Sequence, residues 1–594
     1  MTSPELVPGA RPPGPLGRAA ALAGRAVALL PVLLPARRLR EAAIAAVPAL
    51  AVMVMGYRHR WVGDDGMIYT RTVRELLAGH GPVFNPVERA EATTGTLWQW
   101  LVAAAAYAGG TDPAVVAVSL GIVLTGAGYA LAVATARKAV RPMSAAPLLP
   151  LGMLVLLPVK ADWDYTTSGL ENGLTTFWIA LAWWFLVAAR TARGTRRLYA
   201  GAAVIGLGPL VRPELALVSA VFLVALWCVT LPGARRTAGL VSCALAAPAG
   251  YEVFRAGYYG VLVPLPALTK EASDPVWRRG LAYFGNFAEP YRLWIPLLIL
   301  LALITWAPRG ALTAELVAPP VAGLLSWAYV CRSGGDFMHG RLLLPGLLLI
   351  ALPLCAVPLT QVTRIAALGL AGWAVCCALL WRPPASSGDA YAILDEQRAY
   401  VGYTHNPHPI SMAVHENVPR GFRPAVEAAQ AAGRPVLLIQ RPGGGERFEA
   451  LPLALGARTR MAGAFGLLGN NGIVMPLDGT SVDTLGLAYP LAAHQAREGV
   501  RTAGRAGHEK PLDPAWIVAD WTDPGTPVPA GVDPAAVDAA RHALNCGELA
   551  ELQASVRDPL TPERFWKNLT GSWGRTWFRY PRDPVAAEKE LCHN

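Results

Sequence analysis

The stretch AAIAAVPALAVMVMGYRHRWVGDD, residues 42–65, places an apolar run directly before two adjacent carboxylates, Asp64 and Asp65. Adjacent carboxylates repel each other, so neither helps the other to stay ionised. Such a pair is typical of a site where a metal ion, a sugar hydroxyl or a reaction needs it. The stretch therefore predicts a membrane helix that ends near a functional acid pair.

The composition extends this prediction to most of the chain. The 594 residues are 53% hydrophobic and 16% charged, whereas soluble domains have roughly 25% charged residues. Apolar runs recur between residues 42 and 381, which predicts a polytopic α-helical membrane protein. From Pro383 onward polar, Gly and Pro residues mix with short apolar segments. This mixed composition predicts that the chain from Pro383 onward forms one soluble α/β domain.

The positions of Arg and Lys predict the topology, because short positive loops stay in the cytoplasm. Clusters lie at Arg37–Arg40, Arg137–Arg141, Arg190–Arg197, Arg235–Arg236, Arg309 and Arg364. The net charge of +11 is explained by these clusters, and no nucleic-acid partner is predicted. Eleven crossings of the plasma membrane place every cluster inside, with the N-terminus cytoplasmic and the tail extracytoplasmic. The crossings are 42–57, 114–135, 144–160, 173–189, 199–211, 214–232, 238–254, 293–306, 313–331, 342–360 and 365–381.

Two further apolar runs, at 96–108 and 19–36, are expected to lie in the membrane interface, since one is short and the other contains Arg25. No segment resembles a cleaved signal peptide. The predicted domains are a cytoplasmic or interfacial segment at 1–41, a transmembrane catalytic domain at 42–382 with a first outer loop at 58–95, and an extracytoplasmic domain at 383–594.

This topology places the unusual polar clusters on the outer side, which predicts an active site there. Any single charged residue at a helix end is about as often a cap or a snorkelling side chain. The coincidence of several charged outer loops favours a site. No P-loop, HExxH or Ser-His-Asp signature is present in the sequence. Besides Asp64 and Asp65, the candidate residues of this active site include Arg71, Glu171, Glu214 and Asp336.

A membrane enzyme that faces a compartment without ATP needs an activated donor that arrives through the lipid, as polyprenyl-phosphate sugars do. Its site needs a carboxylate that acts on the sugar, cations for the phosphate leaving group and an apolar groove. Asp64 and Asp65 are the candidate carboxylates. The candidate donor-binding residues are Arg212, Tyr258, Tyr259, Lys270, His339 and Arg341.

Seven segments in register resemble the terminal β-(1→2)-arabinofuranosyltransferases of actinobacterial cell walls, a family of the GT-C superfamily. The resemblance covers the chain from about residue 55 to its end. It is carried by WVGDDGMIYTRTVRELLAGHGPVFNPVERAEATT, TSGLENGL, LVRPELAL, FRAGYYGVLVP, GGDFMHGRLLLP, YPLAAH and GHEKPLDPAWIVAD.

The resemblance implies a GT-C fold, a decaprenyl-phosphoryl-β-D-arabinofuranose donor, and acceptors at the arabinan chain ends of arabinogalactan and lipoarabinomannan. It also implies that a carboxylate in the first outer loop, Asp64 or Asp65, acts as a base or activates the donor. A β-linked donor and a β-linked product mean retention, which a single in-line displacement does not give. Asp336 or Glu171 could contribute to the chemistry instead. A Ca²⁺ or Mg²⁺ ion near Asp64 and Asp65 is left open, and no metal ligands are assigned.

Three other functions remain open. The nearest is a transferase of the same superfamily that uses a mannosyl or another pentosyl phospholipid. A transporter of lipid-linked saccharides would need polar residues in the middle of the spans, which are almost free of them. A non-catalytic cell-wall scaffold would not need the acid pair. The oligomeric state is not predicted.

In the tail, segments 434–440 and 514–520 are expected to be buried strands, and a helix is expected to end at Gly433. Cys546 and Cys592 are the only cysteines of this domain, and on an oxidising side they are expected to form a disulfide. His405 and His408 are too sparse for a metal site. Segment 566–582 interleaves Trp566, Trp573, Trp577 and Tyr580 with four basic residues, which suits a sugar-stacking surface or a membrane anchor.

Overall fold

The computed structural model describes residues 36–592 apart from 141–145, 192–193, 272–274, 306–311, 389–390, 419–420, 442–444, 446 and 498–505. The interfacial run predicted at 19–36 therefore lies outside the described residues, except for its last residue.

The first two thirds of the chain are almost entirely helical. The helices are α1 Ala36–Arg58, α2 Asp64–Leu77, α3 Thr96–Gly109, α4 Pro113–Val140, α5 Leu151–Leu156, α6 Lys160–Tyr165, α7 Asn172–Ala189, α8 Thr195–Gly206, α9 Gly208–Val211, α10 Ala216–Thr230, α11 Ala234–Tyr258, α12 Leu265–Thr269, α13 Trp277–Tyr291, α14 Trp294–Thr305, α15 Ala314–Ser333, α16 Leu344–Ala351 and α17 Gln361–Leu379. Short 3-10 turns precede α10 at Pro213–Leu215 and α16 at Arg341–Leu343.

Among the described residues six helices are long and apolar enough to cross a membrane, which makes this a polytopic membrane protein. They coincide with the predicted crossings at 114–135, 173–189, 214–232, 238–254, 313–331 and 365–381. Helices α13 and α14 form a seventh candidate, but they meet at an angle of 88°. The predicted total of eleven crossings stays a prediction. The six helices are Pro113–Val140, Asn172–Ala189, Pro213–Thr230, Ala234–Tyr258, Ala314–Ser333 and Gln361–Leu379.

Three of the other predicted crossings are not single helices, and proline explains the breaks. The run at 144–160 contains α5 and ends in α6, with Pro150 and Pro158 at the boundaries of α5. The run at 199–211 breaks between α8 and α9, beside Pro209, and the run at 342–360 is interrupted near Pro353. Proline lacks the N–H that a continuous helix needs and clashes with the preceding turn.

The remainder of the chain combines helices with a small sheet. Strands β3 Val436–Gln440, β4 Phe448–Pro452, β5 Met461–Phe465 and β6 Thr480–Asp483 form a sheet of order β4-β3-β5-β6, in which only the β3/β4 pair is antiparallel. A two-stranded pair, β1 Leu148–Leu149 with β2 Val357–Pro358, lies in the membrane part. The helices here are α18 Glu396–Thr404, α19 Met412–His415, α20 Phe422–Ala432, α21 Leu468–Val474, α22 Pro490–Ala493, α23 Pro514–Trp521, α24 Pro534–Ala543, α25 Gly547–Arg557, α26 Pro562–Trp577 and α27 Pro584–Cys592.

Two expectations for this part agree with the structure and one is wrong. Strand β3 lies within the segment predicted at 434–440, and α20 ends at Gly433, whose φ is +65°. The segment 514–520 is not a strand but helix α23. The Asp513 side chain accepts a hydrogen bond from the backbone N–H of Ala515, and Pro514 occupies the first turn, which is a helix start.

A disulfide joins Cys546 to Cys592 and so ties the start of α25 to the end of α27. These helices surround a core of buried side chains that also includes Leu437 of β3 and Trp516 of α23. The membrane part has its own, larger core.

Helix α21 of the C-terminal part packs directly on α2, and two residues of α2 hold its two ends. The Asp64 carboxylate accepts hydrogen bonds from the backbone N–H groups of Gly469 (3.1 Å) and Asn470 (2.8 Å) and from the Asn470 side chain (2.6 Å). A negative charge at this end and a positive charge at the other both favour the helix. A side chain at position 469 would meet the Asp64 carbonyl, so the close approach requires glycine there.

The Arg71 guanidinium lies at the opposite end of α21 and is completely buried. It donates hydrogen bonds to the carbonyl groups of Gly472 (2.7 Å), Met475 (3.0 Å) and Gly479 (2.9 Å). Its charge is balanced by Glu75 at 3.1 Å. Arg71, predicted as a site residue, therefore joins the two halves of the chain instead of lining a cavity.

Arg71→Gln is expected to lower the free energy of unfolding by roughly 3–5 kcal/mol, because it leaves Glu75 and several buried carbonyl groups without their partner. Thermal unfolding of the purified protein in detergent measures the loss. Arg74→Gln, on the same helix but only half-buried, is the control and is expected to change stability little. Equal midpoints for Arg71→Gln and the wild type would refute the structural role of Arg71.

Asp64 and Arg71, which hold the two ends of α21, form a clamp between α2 and α21. The burial of Asp64 in this clamp also predicts an effect of pH on stability. Burial, which outweighs the hydrogen bonds from Asn470 and Gly469, raises the pKa of Asp64 from 3.8 to about 6. The folded protein then holds this proton more tightly than the unfolded chain does. The stabilisation from Asp64 is complete below pH 3.8 and is lost as the pH rises through about 6.

Between about pH 5 and 7 the wild type should lose roughly 1 kcal/mol of stability relative to Asp64→Asn, which cannot titrate. The difference in unfolding free energy between the two proteins is the quantity to measure across that range. Glu427→Gln, at an exposed position, is the control. Its unfolding free energy should differ from that of the wild type by a constant amount across this pH range. A difference between Asp64→Asn and the wild type that stays constant or moves in the opposite direction contradicts the raised pKa.

Candidate active site

The acid pair lies in the first turn of α2, where the positive end of the helix dipole favours carboxylates. The loop before α7 fixes this turn from one side, because the Gly63 N–H donates to the Ser168 carbonyl. A side chain at Gly66 would meet the same carbonyl at 2.7 Å, so glycine allows the loop to pack there. Helix α21 fixes the turn from the other side.

The two carboxylates have different surroundings. Asp64 is engaged by its three hydrogen bonds to Gly469 and Asn470. The Asp65 side chain is 26% exposed and faces one cation, the Arg341 Nη1 at 3.5 Å. Asp65 is thus the more accessible carboxylate of the pair.

Arg341 is the centre of a buried charge network. Its guanidinium lies 3.3 Å from Glu171 and 3.5 Å from each of Asp65 and Asp336. Burial acts to lower the pKa of Arg341, but the carboxylates of Glu171, Asp336 and Asp65 outweigh it and raise this pKa. Arg341 therefore stays charged and holds three segments of the chain together.

Glu171 is the most enclosed carboxylate of this network, with no exposed side-chain surface. It accepts hydrogen bonds from Arg212 and from the Tyr69 hydroxyl (2.8 Å), and Arg212 also binds Glu214. Burial acts to raise the pKa of Glu171, but Arg212 and Arg341 hold it below its usual value. Glu171 serves as a fixed counter-ion for the two arginines.

Lys270 is the most exposed of the three predicted phosphate-binding cations that line the cavity. Its side chain is 36% exposed, against 11% for Arg212 and 6% for Arg341. Its nearest carboxylate is Asp336, at 3.9 Å. Although burial acts to raise the pKa of Asp336, Lys270 and Arg341 lower it. Among the residues that the structure describes, a bound phosphate would therefore compete with one long ion pair for Lys270.

All of these charged side chains except Glu171 line one cavity of about 210 Å³. Pockets for drug-sized ligands usually measure roughly 300–1,000 Å³, so this cavity has room for a sugar headgroup but not for a whole lipid. Membrane helices, the loops between them and the C-terminal part all contribute to its wall. The wall includes 64–65, 68–69, 92–94, 170, 212–214, 266–267, 270, 279, 329–330, 333, 335–337, 341–342, 396, 400, 466–468, 485, 487 and 506–508.

Among the predicted site residues Asp64, Asp65, Arg212, Glu214, Lys270, Asp336 and Arg341 line this cavity. Tyr258, Tyr259 and His339 do not. The Tyr259 hydroxyl donates to the Pro82 carbonyl, and the Tyr258 ring lies under the Arg89 guanidinium. His339 is buried against Asn286, and burial lowers its pKa to about 4. The neutral imidazole and the two phenols thus belong to the packing around the site.

Several residues of the wall were not singled out from the sequence. Glu396 and Tyr400 come from α18. Asn470, which holds Asp64 but lies outside the wall itself, comes from α21. His508 lies in the segment GHEKPLDP, which carried part of the family resemblance, so that signal was present. Nothing local marks Asn470, because its importance depends on a contact across 406 residues of chain.

In the described part of the chain, His542, Cys546 and Cys592 are the only three potential ligands close enough together to hold a metal ion. Two of these three form the disulfide. A divalent cation at Asp64 and Asp65 stays a prediction.

Comparison with known proteins extends over nearly the whole chain. Residues 457–581 match the AftB family C-terminal domain. The chain is 33% identical to the terminal β-(1→2)-arabinofuranosyltransferase of Mycobacterium tuberculosis, over 91% of this chain and 95% of the relative. It is 34% identical to the protein of the same name from Corynebacterium glutamicum, over 86% of this chain and 82% of the relative. No solved structure matches the chain.

Identity of this level over almost the full length of both proteins, on a helical membrane scaffold, defines the family. The chain belongs to the terminal β-(1→2)-arabinofuranosyltransferases, which are glycosyltransferases.

Proposed function

We propose that this protein transfers D-arabinofuranose from decaprenyl-phosphoryl-β-D-arabinofuranose to arabinan chain ends and forms terminal β-(1→2) linkages. The acceptors in this proposal are the arabinan chains of arabinogalactan and lipoarabinomannan. The relatives carry the name of this activity.

The observation that carries the proposal is a row of alternating charges along one cavity wall. Asp65 is followed by Arg341, Arg341 by Asp336, and Asp336 by Lys270, with separations of 3.5, 3.5 and 3.9 Å. An accessible carboxylate at one end suits the anomeric carbon, where positive charge develops. An accessible ammonium at the other end suits the phosphate leaving group.

The position of the cavity supports a lipid-linked donor. Its wall includes Pro213 and Glu214, at the start of the Pro213–Thr230 span, and Val330 and Ser333, near the end of α15. These two membrane helices pack against each other. A prenyl chain can lie along their apolar surfaces in the bilayer while its sugar phosphate occupies the cavity.

The charge roles follow from the stereochemistry of the proposed reaction. A β-linked donor that gives a β-linked product retains its configuration, which requires a covalent intermediate or attack from the side of the leaving group. In the covalent route an ionised carboxylate attacks the anomeric carbon as the bond to phosphate breaks, and the electron pair of that bond leaves with the phosphate. In the front-face route the acceptor oxygen forms the new bond on the side of the leaving phosphate, and a carboxylate beside the anomeric carbon stabilises the positive charge that develops there. We assign this carboxylate to Asp65 and a positioning role to Asp64, because Asp64 is engaged by α21.

The proposed orientation places this site and residues 383–594 on the extracytoplasmic side. Both halves of the chain line one cavity, so they face the same compartment. The Cys546–Cys592 disulfide suits an oxidising compartment. The Arg and Lys clusters lie in the loops at the other ends of the predicted crossings. Positive loops favour the cytoplasm, so these clusters support an extracytoplasmic site.

Asp65→Asn is expected to lower kcat by at least about 10³-fold, the scale of a lost catalytic carboxylate, without lowering thermal stability. Asp64→Asn is expected to lose less activity than Asp65→Asn and to unfold at a lower temperature than the wild type at about pH 5, where a large part of the stabilisation from Asp64 remains. The assay uses purified protein, synthetic decaprenyl-phosphoryl-arabinofuranose and a short α-(1→5)-arabinofuranosyl acceptor, with NMR of the new linkage.

Glu427→Gln, at an exposed position far along the chain, is the matched acid-to-amide control and should behave as the wild type. Full activity of Asp65→Asn refutes the role of Asp65. If Asp64→Asn alone is inactive with unchanged stability, the catalytic assignment moves to Asp64. A wild-type product with another linkage refutes the proposed function.

Lys270→Ala is expected to raise KM for the lipid donor by about tenfold or more, because one charge-assisted contact to phosphate is worth roughly 1.5–3 kcal/mol. KM for the acceptor should change little. Steady-state kinetics with each substrate varied in turn separates the two constants. Lys270→Arg should recover part of the loss, and Lys589→Ala, at an exposed site, should cause none. An unchanged donor KM in Lys270→Ala would exclude this residue from donor binding.

A further inference from the structure

Three tryptophans form an exposed stripe on α26 (Pro562–Trp577). Trp566, Trp573 and Trp577 are 63%, 67% and 56% exposed. They are separated by seven and four residues, so they share one face of the helix. Exposed tryptophans at this density are unusual on a surface that meets only water, because each leaves a large apolar ring unburied.

The opposite face of α26 is fixed to the C-terminal end of the membrane helix α11. The Asn568 side chain donates to the Gly257 carbonyl, Arg575 donates to the Gly260 carbonyl, and the Leu262 N–H donates to the Thr576 hydroxyl. Helix α11 itself is apolar and almost wholly unburied by the rest of the protein. The Trp stripe therefore adjoins the end of a helix whose surface faces lipid.

The charges of α26 are neutralised within the protein. Lys567 lies 2.7 Å from Glu551, Arg564 binds Glu551 and Asp558, and Arg575 is buried. These basic groups have counter-ions of their own, so they contribute little net attraction to anionic headgroups. Whatever the stripe binds, it binds through the aromatic rings.

The geometry of the rings favours a membrane over a saccharide. The Trp573 and Trp577 rings are inclined at 60° with centroids 6.0 Å apart, so they do not form one flat platform. Sugar recognition also needs polar side chains beside the ring, and the basic side chains Arg564 and Lys567 are engaged in the ion pairs above. Indole rings at the headgroup layer need only an apolar body on one side and a hydrated N–H on the other.

We infer that the Trp face of α26 lies in the headgroup layer of the bilayer beside the end of α11, and anchors the C-terminal part to the membrane by aromatic contacts. This anchor is independent of lipid charge. It keeps α26, and through the Arg575–Gly260 contact the segment that leads into α12 and Lys270, at a fixed height above the bilayer.

The experiment places the photo-crosslinking residue p-benzoylphenylalanine at position 573 of the full-length protein, reconstituted in nanodiscs. Discs of phosphatidylcholine alone and of phosphatidylcholine with phosphatidylglycerol are compared at low and high NaCl. The control carries the same residue at position 455, where Leu455 is 98% exposed on the loop after β4. Position 566, also exposed, supplies a second variant. Mass spectrometry of the adducts identifies the crosslinked partner.

The inference requires lipid adducts at positions 573 and 566, several-fold above the yield at 455, in both kinds of disc and at both salt concentrations. Adducts that appear only with phosphatidylglycerol or disappear in high salt overturn the aromatic mechanism. Adducts to a synthetic arabinofuranose oligosaccharide added to the discs, in place of lipid, identify a saccharide surface and overturn the anchor. Absence of lipid adducts at both positions overturns it as well.

Discussion

Four charged side chains meet at one point of this protein: Arg341 and the carboxylates of Asp65, Glu171 and Asp336. Three of the four are almost fully buried, and an ion can be buried only where opposite charges and hydrogen bonds compensate for the lost water. Each carboxylate comes from a different segment, on α2, before α7 and before Arg341. Each of these charges needs its oppositely charged partners, so the segments that carry the charges are held in one arrangement. The cavity is the space between these segments.

The sequence was sufficient for the parts of the fold that depend on local composition. Many apolar runs, such as 173–189, form single helices. Proline alone did not decide where a run breaks, because 342–360 is interrupted near Pro353 whereas α11 continues through Pro248. The misassigned segment 514–520 shows the limit of this approach. The six apolar residues 514–519 fit a strand or a buried helix equally well. The helix start at Asp513 and Pro514 was the signal that decided between them.

For the site, sequence reasoning found the charged groups but not their relations. Asp65, Lys270 and Arg341 were recognisable because charges beside apolar runs are rare. That Asp64 would be engaged by Asn470, or that Glu171 would be enclosed by Arg212, depends on contacts between distant segments. Tyr258 and His339 were attractive by residue type, yet packing placed both outside the cavity wall. Residue chemistry identifies candidates, and only the tertiary arrangement separates a reactive group from a supporting one.

The clamp between α2 and α21 has a consequence for how the protein matures. Arg71 and its acceptor at Gly472 are 401 residues apart, so α2 is synthesised and inserted long before its partner exists. During that interval Asp64 and Arg71 are exposed to water, and the cavity has no wall from residues 466–468. A chain that stops before this segment cannot assemble the site, whatever the state of its membrane helices. The active site therefore forms late in translation, once the polypeptide is complete.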